Sequence, residues 1–497
     1  MNGLRSAFEK SSLWGVAQYR GVIVSEAVLP TKLRPRNVVF IVLAALIVIA
    51  TAFAPVTPGL AYEGRMVLGI LTAGILLWIT ESLPLPATAL LILILMPLTG
   101  VCTFDEAYKN AMGSTVFFLM GTFAFTVALD ATSIPTRIAG FVLGWSGTNT
   151  NKMLFGFMCA TAFLSFFMSD VAACGVFISV GKRLLEFNHA GKKVSRMGKA
   201  LMIAIPWASY AGGLAVMTGN GCNVVTVGLF KELFGIEMNF IEWSMLGIPF
   251  CLIMLVVAWF VLTRFFKPEA ISQESIDATR DEVSEFGPMS RPEIATVVII
   301  ALAMVFWILS SWISFFNTTM VAICAVVLLS VPGFSTLQFK ELVSRMNWGV
   351  ILMIMCILSV AHFVVETGAG DWLVDAVMSV VPEAARTPIV ILLIVSTIGA
   401  ITHNVVPVGP AVAGILAYPL GVIAGDFGIS MYCMLMVVAW QASLAYILPL
   451  DCVPILTYSS GYYTMLDMLK VGWIPTVVLI VLTSTLLPAL CGVFGFV

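Results

Sequence analysis

The sequence predicts an all-α integral membrane protein of about eleven transmembrane helices and two re-entrant helical hairpins, arranged as an inverted-topology repeat. Composition points there first. Of 497 residues, 60% are apolar and 10% charged, with a mean hydropathy of +1.04, whereas a soluble chain carries roughly 25% charged residues. Uncharged windows long enough to cross a hydrocarbon core of ~30 Å, which takes ~20 residues of helix, recur from end to end. Two further apolar stretches are interrupted halfway by polar residues, and each is followed by a broken helix. Strands are not expected, since a transmembrane barrel would show short alternating segments.

At the N-terminus, six Lys and Arg fall within the first 36 residues, which is too long and too polar for a signal-peptide n-region. The segment is therefore read as retained, with an interfacial helix through Leu13, Trp14, Ala17 and Tyr19. The apolar windows supply spans near 38–55, 66–82, 85–100, 112–130, 200–230, 244–263, 294–310, 318–331, 348–366, 431–459 and 471–493. Ten Cys lie almost entirely in apolar stretches without short paired spacing. They fit neither a disulfide framework nor a zinc site, and are expected as small buried hydrophobes.

Residues 152–186 and 387–425 do not read as ordinary spans. The first runs from Lys152 to Lys182, Arg183 and Glu186 with Ser169-Asp170 midway; the second runs from Arg386 to Asp426 around Thr402-His403-Asn404. Arms of ~15 residues rise roughly 22 Å, short of a full crossing. Each stretch is expected as a hairpin whose irregular tip is buried in protein or lines a water-filled cavity; two short tilted spans are the plainer alternative.

Basic residues orient the chain. With these spans the N-terminus is cytoplasmic, and of 25 Lys and Arg only Arg65, Lys109, Lys231 and Arg386 lie outside, as the positive-inside rule requires. Hairpin 152–186 then opens to the cytoplasm and hairpin 387–425 to the outside. Each follows a span and a weakly amphipathic helix (131–146 and 369–381). Each precedes a helix broken by small and polar residues, Gly219-Asn220-Gly221-Cys222-Asn223 or Pro449-Leu450-Asp451-Cys452-Val453-Pro454. A charged linker, 267–292, joins the halves. Inverted repeats of this kind place the binding site near the midplane, between the halves.

An ionisable side chain at membrane depth costs at least ~2.5 kcal/mol, so Asp170, His403 and Asp451 are functional candidates. Plainer roles stand beside these: Asp170 as a helix cap, His403 as a core histidine bonded to a carbonyl, Asp451 as a cap after Pro449 or a partner of His403.

The segment Trp78-Ile-Thr-Glu81-Ser-Leu-Pro84-Leu-Pro86-Ala-Thr88 resembles the signature of the divalent anion/sodium symporter family within the ion transporter superfamily. So do Gly212-Gly213 to Asn223-Val-Val-Thr-Val-Gly228-Leu-Phe-Lys231 and Asn347-Trp348-Gly349 to Glu366-Thr-Gly368-Ala-Gly-Asp371-Trp372. The resemblance runs from about residue 66 to 490 and implies a secondary transporter of di- or tricarboxylates or sulfate, coupled to Na+, working by an elevator movement as a homodimer. No organic cofactor is implied. On that basis the chain divides into a cytoplasmic segment (1–36), scaffold helices (37–130 and 294–366), a transport unit (131–235 and 367–465), a span with the linker (236–293) and a C-terminal span (466–497) of a multi-pass cell-membrane (inner-membrane) protein.

The hairpin tips depart from the family's Ser-Asn-Thr: they read Ser169-Asp170-Val171 and His403-Asn404-Val405. These six residues are the expected solute contacts. The resemblance implies a sodium site at Ser165, Ser169, Asp170, Gly219 and Asn223, where the spacing of four between the two serines would put both hydroxyls on one helix face and oxygen ligands suit a hard cation. In the second half Gly399 stands where the family pattern has a hydroxyl. Proton coupling or charge compensation through His403 and Asp451, or anion exchange, is the alternative to a second sodium ion. An intramembrane aspartyl enzyme using Asp170 and Asp451 would need two carboxylates sharing a proton, and the Gly-x-Gly-Asp context is absent; no catalytic residue is assigned. A channel fits two broken hairpins less well than alternating access does. Nucleic-acid binding is not expected at a net charge of -2 with dispersed basic residues.

Overall fold

The computed structural model describes residues 35–55, 58–284, 287–313, 315–378 and 387–496. The interfacial helix expected around Leu13–Tyr19 lies outside the described residues. Helix is the only regular structure among the described residues.

In the first half, α1 (Pro35–Phe53), α2 (Tyr62–Thr80) and α3 (Leu85–Leu98) are followed by a short α4 (Phe104–Ala111) bent into α5 (Ser114–Asp130). Next come α6 (Ile134–Ser146), the hairpin α7 (Thr150–Leu164) and α8 (Asp170–Phe187), the broken helix α9 (Arg196–Ala215) and α10 (Gly221–Phe234), and α11 (Phe240–Phe266). A linker helix α12 (Gln273–Ser284) leads to α13 (Arg291–Leu309) and α14 (Thr318–Leu329). The succession then recurs. A short α15 (Phe339–Arg345) precedes α16 (Trp348–Glu366) and α17 (Ala369–Met378), then the hairpin α18 (Pro388–Val405) and α19 (Gly409–Asp426), the broken helix α20 (Met431–Gln441) and α21 (Cys452–Tyr458), and α22 (Met465–Phe494).

Helices occupy every interval where a span was expected. By length and composition eight of them can cross a membrane, or nine if the bent pair α4–α5 counts as one span, while α3, α14 and α20 are shorter apolar helices. The arms of the second hairpin have 18 residues each, a rise of roughly 27 Å, and both pass that length test. Arm length therefore does not separate this hairpin from a pair of spans, and its reading as re-entrant rests on the polar, buried tip.

Local signals set the boundaries. Reciprocal capping boxes at Thr103/Glu106, Asn239/Glu242, Ser290/Glu293 and Thr464/Asp467 start α4, α11, α13 and α22, satisfying N–H groups that the helix leaves unpaired. In α9 all residues but Arg196 and Lys199 are buried, and in α20 Cys433–Gln441 are buried. A helix apolar all round belongs in the interior, and these two broken helices form the centre of the molecule. By contrast, only Ala44 of α1 is buried.

The linker is not a free tether. Helix α12 packs on α6 and α8, the Ser272 N–H donates to Asn188 Oδ1 at 3.1 Å, and Glu269 accepts from the Met197 N–H at 2.9 Å and from the Ser195 hydroxyl. The charged segment thus caps α9 and lies against the first hairpin.

Candidate functional site

The first tip opens where α7 ends at Leu164. Ser165 is its C-cap and Ser169 is the N-cap of α8, so the expectation that both hydroxyls share one helix face is corrected: a non-helical turn separates them. The Ser169 N–H donates to Thr126 Oγ1 at 3.0 Å. The Ser165 hydroxyl donates to the Ser209 carbonyl at 3.1 Å, and the Ser209 hydroxyl donates to the Asp170 carbonyl at 2.6 Å. With its hydrogen committed, the Ser165 oxygen keeps its lone pairs for a cation.

Asp170 is buried, at 5% exposure. One carboxylate oxygen accepts from the Val171 N–H at 2.8 Å and the other from Asn220 Nδ2 at 2.5 Å. Asp170 thus bonds an N–H in the first turn of its own helix and also ties the tip to the break between α9 and α10. Each oxygen retains capacity for a further partner. At that break Val216 and Asn220 are extended around a single 3₁₀ turn, and Asn220 caps α10 by accepting from the Cys222 N–H at 2.7 Å. Gly219 sits against the Ser165 carbonyl and Gly213. Asn223 donates to the Gly213 and Val216 carbonyls at 2.7 and 3.2 Å, while its Oδ1 is buried without a partner. A buried acceptor left so costs about 1–3 kcal/mol, and a cation at this point would satisfy it. The residues present fit a sodium ion through hydroxyl, carboxylate, carbonyl and amide oxygens.

The second tip is built differently. His403, 1% exposed, has no hydrogen bond at either ring nitrogen; its Nε2 lies 3.9 Å from Asp451 Oδ1. Asn404 donates to the Ala400 carbonyl at 2.8 Å and leaves Oδ1 unpaired. Val405 is 58% exposed and does not join this cluster. The site residues named from the sequence are therefore partly gathered: Ser165, Asp170, Gly219 and Asn223 around the first tip, His403 and Asp451 at the second.

A Cβ at Gly399 would stand 2.7 Å from Gln441 Cβ, so α20 packs directly where a hydroxyl ligand would project. The Gln441 Nε2 itself is buried without a partner. Gly409, at the far side of this tip, presses on Cys222 Sγ and the Ala442 carbonyl, bringing the second tip onto the first broken helix.

Tyr210, Thr126 and Gln441, not singled out from the sequence, complete the site together with Asn220, which the sequence named only as part of the helix break. Tyr210 on α9 donates to Asp451 Oδ2 at 2.6 Å, across the two halves. Its only signal in the sequence is a phenol within the apolar run 201–216, and nothing local names its partner.

Comparison with known proteins agrees with this architecture. The family model described as "Sodium:sulfate symporter transmembrane region" matches residues 36–491. The sodium-dependent dicarboxylate transporter SdcS of Staphylococcus saprophyticus is 26% identical over 484 residues, covering 92% of both chains. Its namesake in Staphylococcus aureus is 26% identical over 461 residues, covering 87% of this chain and 88% of its own. Among solved structures, the YdaH transporter of Alcanivorax borkumensis, reported to have an unusual topology, superposes with a TM-score of 0.53 at 13% identity, covering 80% of this chain and 89% of that one; at that identity the likeness concerns the fold. With the family match running almost end to end over a multi-pass helical membrane fold, the chain is a transporter rather than an enzyme, and it belongs to the sodium:sulfate symporter family, the divalent anion/sodium symporters.

Proposed function

We propose that this chain is a Na+-coupled secondary transporter of a small oxyanionic solute, a di- or tricarboxylate or a sulfate-like ion, in the cell membrane. The observation that carries the reading is the buried Asn223 Oδ1, left without a partner on the residue whose amide nitrogen bonds the Gly213 carbonyl, in the break where Gly219 meets the Ser165 carbonyl. His403, Asn404 and the exposed peptide groups of the tips then face the solute, with helix N-termini supplying attraction for its charge. The relatives named for dicarboxylate transport support that solute class.

An elevator movement suits the packing. Hairpin 1 and the break meet the scaffold across an apolar crevice lined by Phe166, Phe167 and Thr218 on one side and Phe125, Met304 and Trp307 on the other. Such a surface holds few directional bonds to break during sliding. A homodimer formed by the scaffold, with a cytoplasmic N-terminus, completes the proposal.

Counterflow in proteoliposomes with a panel of radiolabelled carboxylates and sulfate, with and without Na+, tests it. Sodium-dependent exchange of at least one oxyanion is expected; no exchange of any of them would overturn the reading.

A further inference from the structure

A cluster that the sodium reading leaves unused joins the two halves. Tyr210 from α9, Asp451 from the break before α21 and His403 from the tip of α18 are all buried, at 0%, 6% and 1% exposure. Asp451 Oδ2 is filled: it accepts from the Tyr210 hydroxyl at 2.6 Å, lies 3.4 Å from the Val453 N–H and 3.7 Å from Cys452 Sγ. Its Oδ1 lies 3.9 Å from the His403 Nε2. That distance is too long for a hydrogen bond, yet about 1 Å of movement closes it. Both ring nitrogens are unpaired.

We propose that Tyr210, Asp451 and His403 form a proton site built across the two halves, which takes up one H+ in place of a second sodium ion and carries it with the solute. The proposal rests on the transporter reading above for its coupling, but not for the proton itself. A neutral imidazole has one nitrogen that donates and one that accepts. If the Nε2–H turns to Asp451 Oδ1, the lone pair of Nδ1 takes a proton from the outer solution and returns it to the inner one. The imidazolium then balances the carboxylate, which otherwise lies at membrane depth without a cation. Gln441, packed against Gly399, occupies the space that a hydroxyl ligand for sodium would need.

The groups around the cluster are few. Asp451 is the charged group acting on His403. Asp451 is faced by Tyr210 and Cys452 and, through space, by Asp170 from α8 and Cys222 from α10. Helix α22, packed along α18, brings a hydroxyl, Thr483 on Ser396.

The chain has three histidines, His189, His362 and His403, so ¹⁵N-histidine labelling of the full-length protein in detergent, assigned with His403→Gln, reads the site without any solute. We expect the His403 ring-nitrogen signals to respond to pH. Asp451→Asn should lower their midpoint by roughly one unit or more, and Tyr210→Phe, which frees charge on the carboxylate, should raise it. A merely structural histidine would show neither opposed shift. An invariant His403 signal, or an unchanged midpoint in Asp451→Asn, overturns the proposal. In proteoliposomes holding a trapped pH dye, succinate added with Na+ should carry protons inward through the wild type; succinate entry without protons overturns the coupling. If neither succinate nor sulfate enters, the transporter reading fails while the titration still decides the proton site.

Discussion

Asp170 enters the membrane with both carboxylate oxygens engaged, one by its own helix and one by Asn220, and that dual role sets what its removal should do. Asp170→Asn keeps the shape and leaves a donor facing the Asn220 amide. Losing a charged ligand is worth about 1.5 kcal/mol or more, so the apparent sodium affinity should fall roughly tenfold. Thermal stabilisation by Na+ measures this, and an unchanged sodium response would remove Asp170 from the cation site. Gly399→Ser tests the second half from the opposite direction. Its Cβ would stand 2.7 Å from Gln441 Cβ, and overpacking of this kind costs about 1–3 kcal/mol. We expect a lower melting temperature with no added sodium binding; a second sodium ion in this variant would contradict the packing argument. At this scale the sequence revealed the ionisable residues because charge is rare in apolar runs. It hid Tyr210, whose partner lies 241 residues away, and it misplaced Ser165 and Ser169 on one helix face because a spacing of four does not show that the helix has already ended at Leu164.

Among the elements, the capping of α9 carries the clearest pH dependence. Burial opposes ionisation of Glu269, but hydrogen bonds from the Ser195 hydroxyl and the Met197 N–H, with Arg196 nearby, outweigh it and hold the carboxyl below the ordinary value of 4.5. A depressed folded value means that the contribution to stability is fully present above 4.5 and is lost as pH falls through the folded value. Glu269→Gln should therefore be less stable than wild type at neutral pH, and the difference should shrink as the pH drops below about 4.5. Melting curves in detergent from pH 3 to 7 check this, and a difference independent of pH would assign the effect to shape alone. The broken helices were legible from their Gly, Asn and Pro residues. The docking of α12 was not, because a charged helix reads as solvated whether or not it lies against α6 and α8.

Across the whole molecule, the two halves are joined at the centre rather than laid side by side. Tyr210 reaches Asp451, Gly409 meets Cys222, and Lys199 pairs with Asp467 at 2.9 Å. Fold class and the order of the repeated elements were readable from apolar windows and breaks, because a membrane forces every span to declare itself by length and charge. The joining contacts were not, since they pair residues far apart in the chain. The proposed transporter holds one sodium site, at the first tip, with the second tip given over to Tyr210, Asp451 and His403. The sodium dependence of initial uptake of radiolabelled succinate, or of sulfate, into proteoliposomes at fixed pH tests this most directly. The account predicts a sodium-dependent rate with a Hill coefficient of about one; a coefficient of about two, or uptake indifferent to sodium, would contradict it.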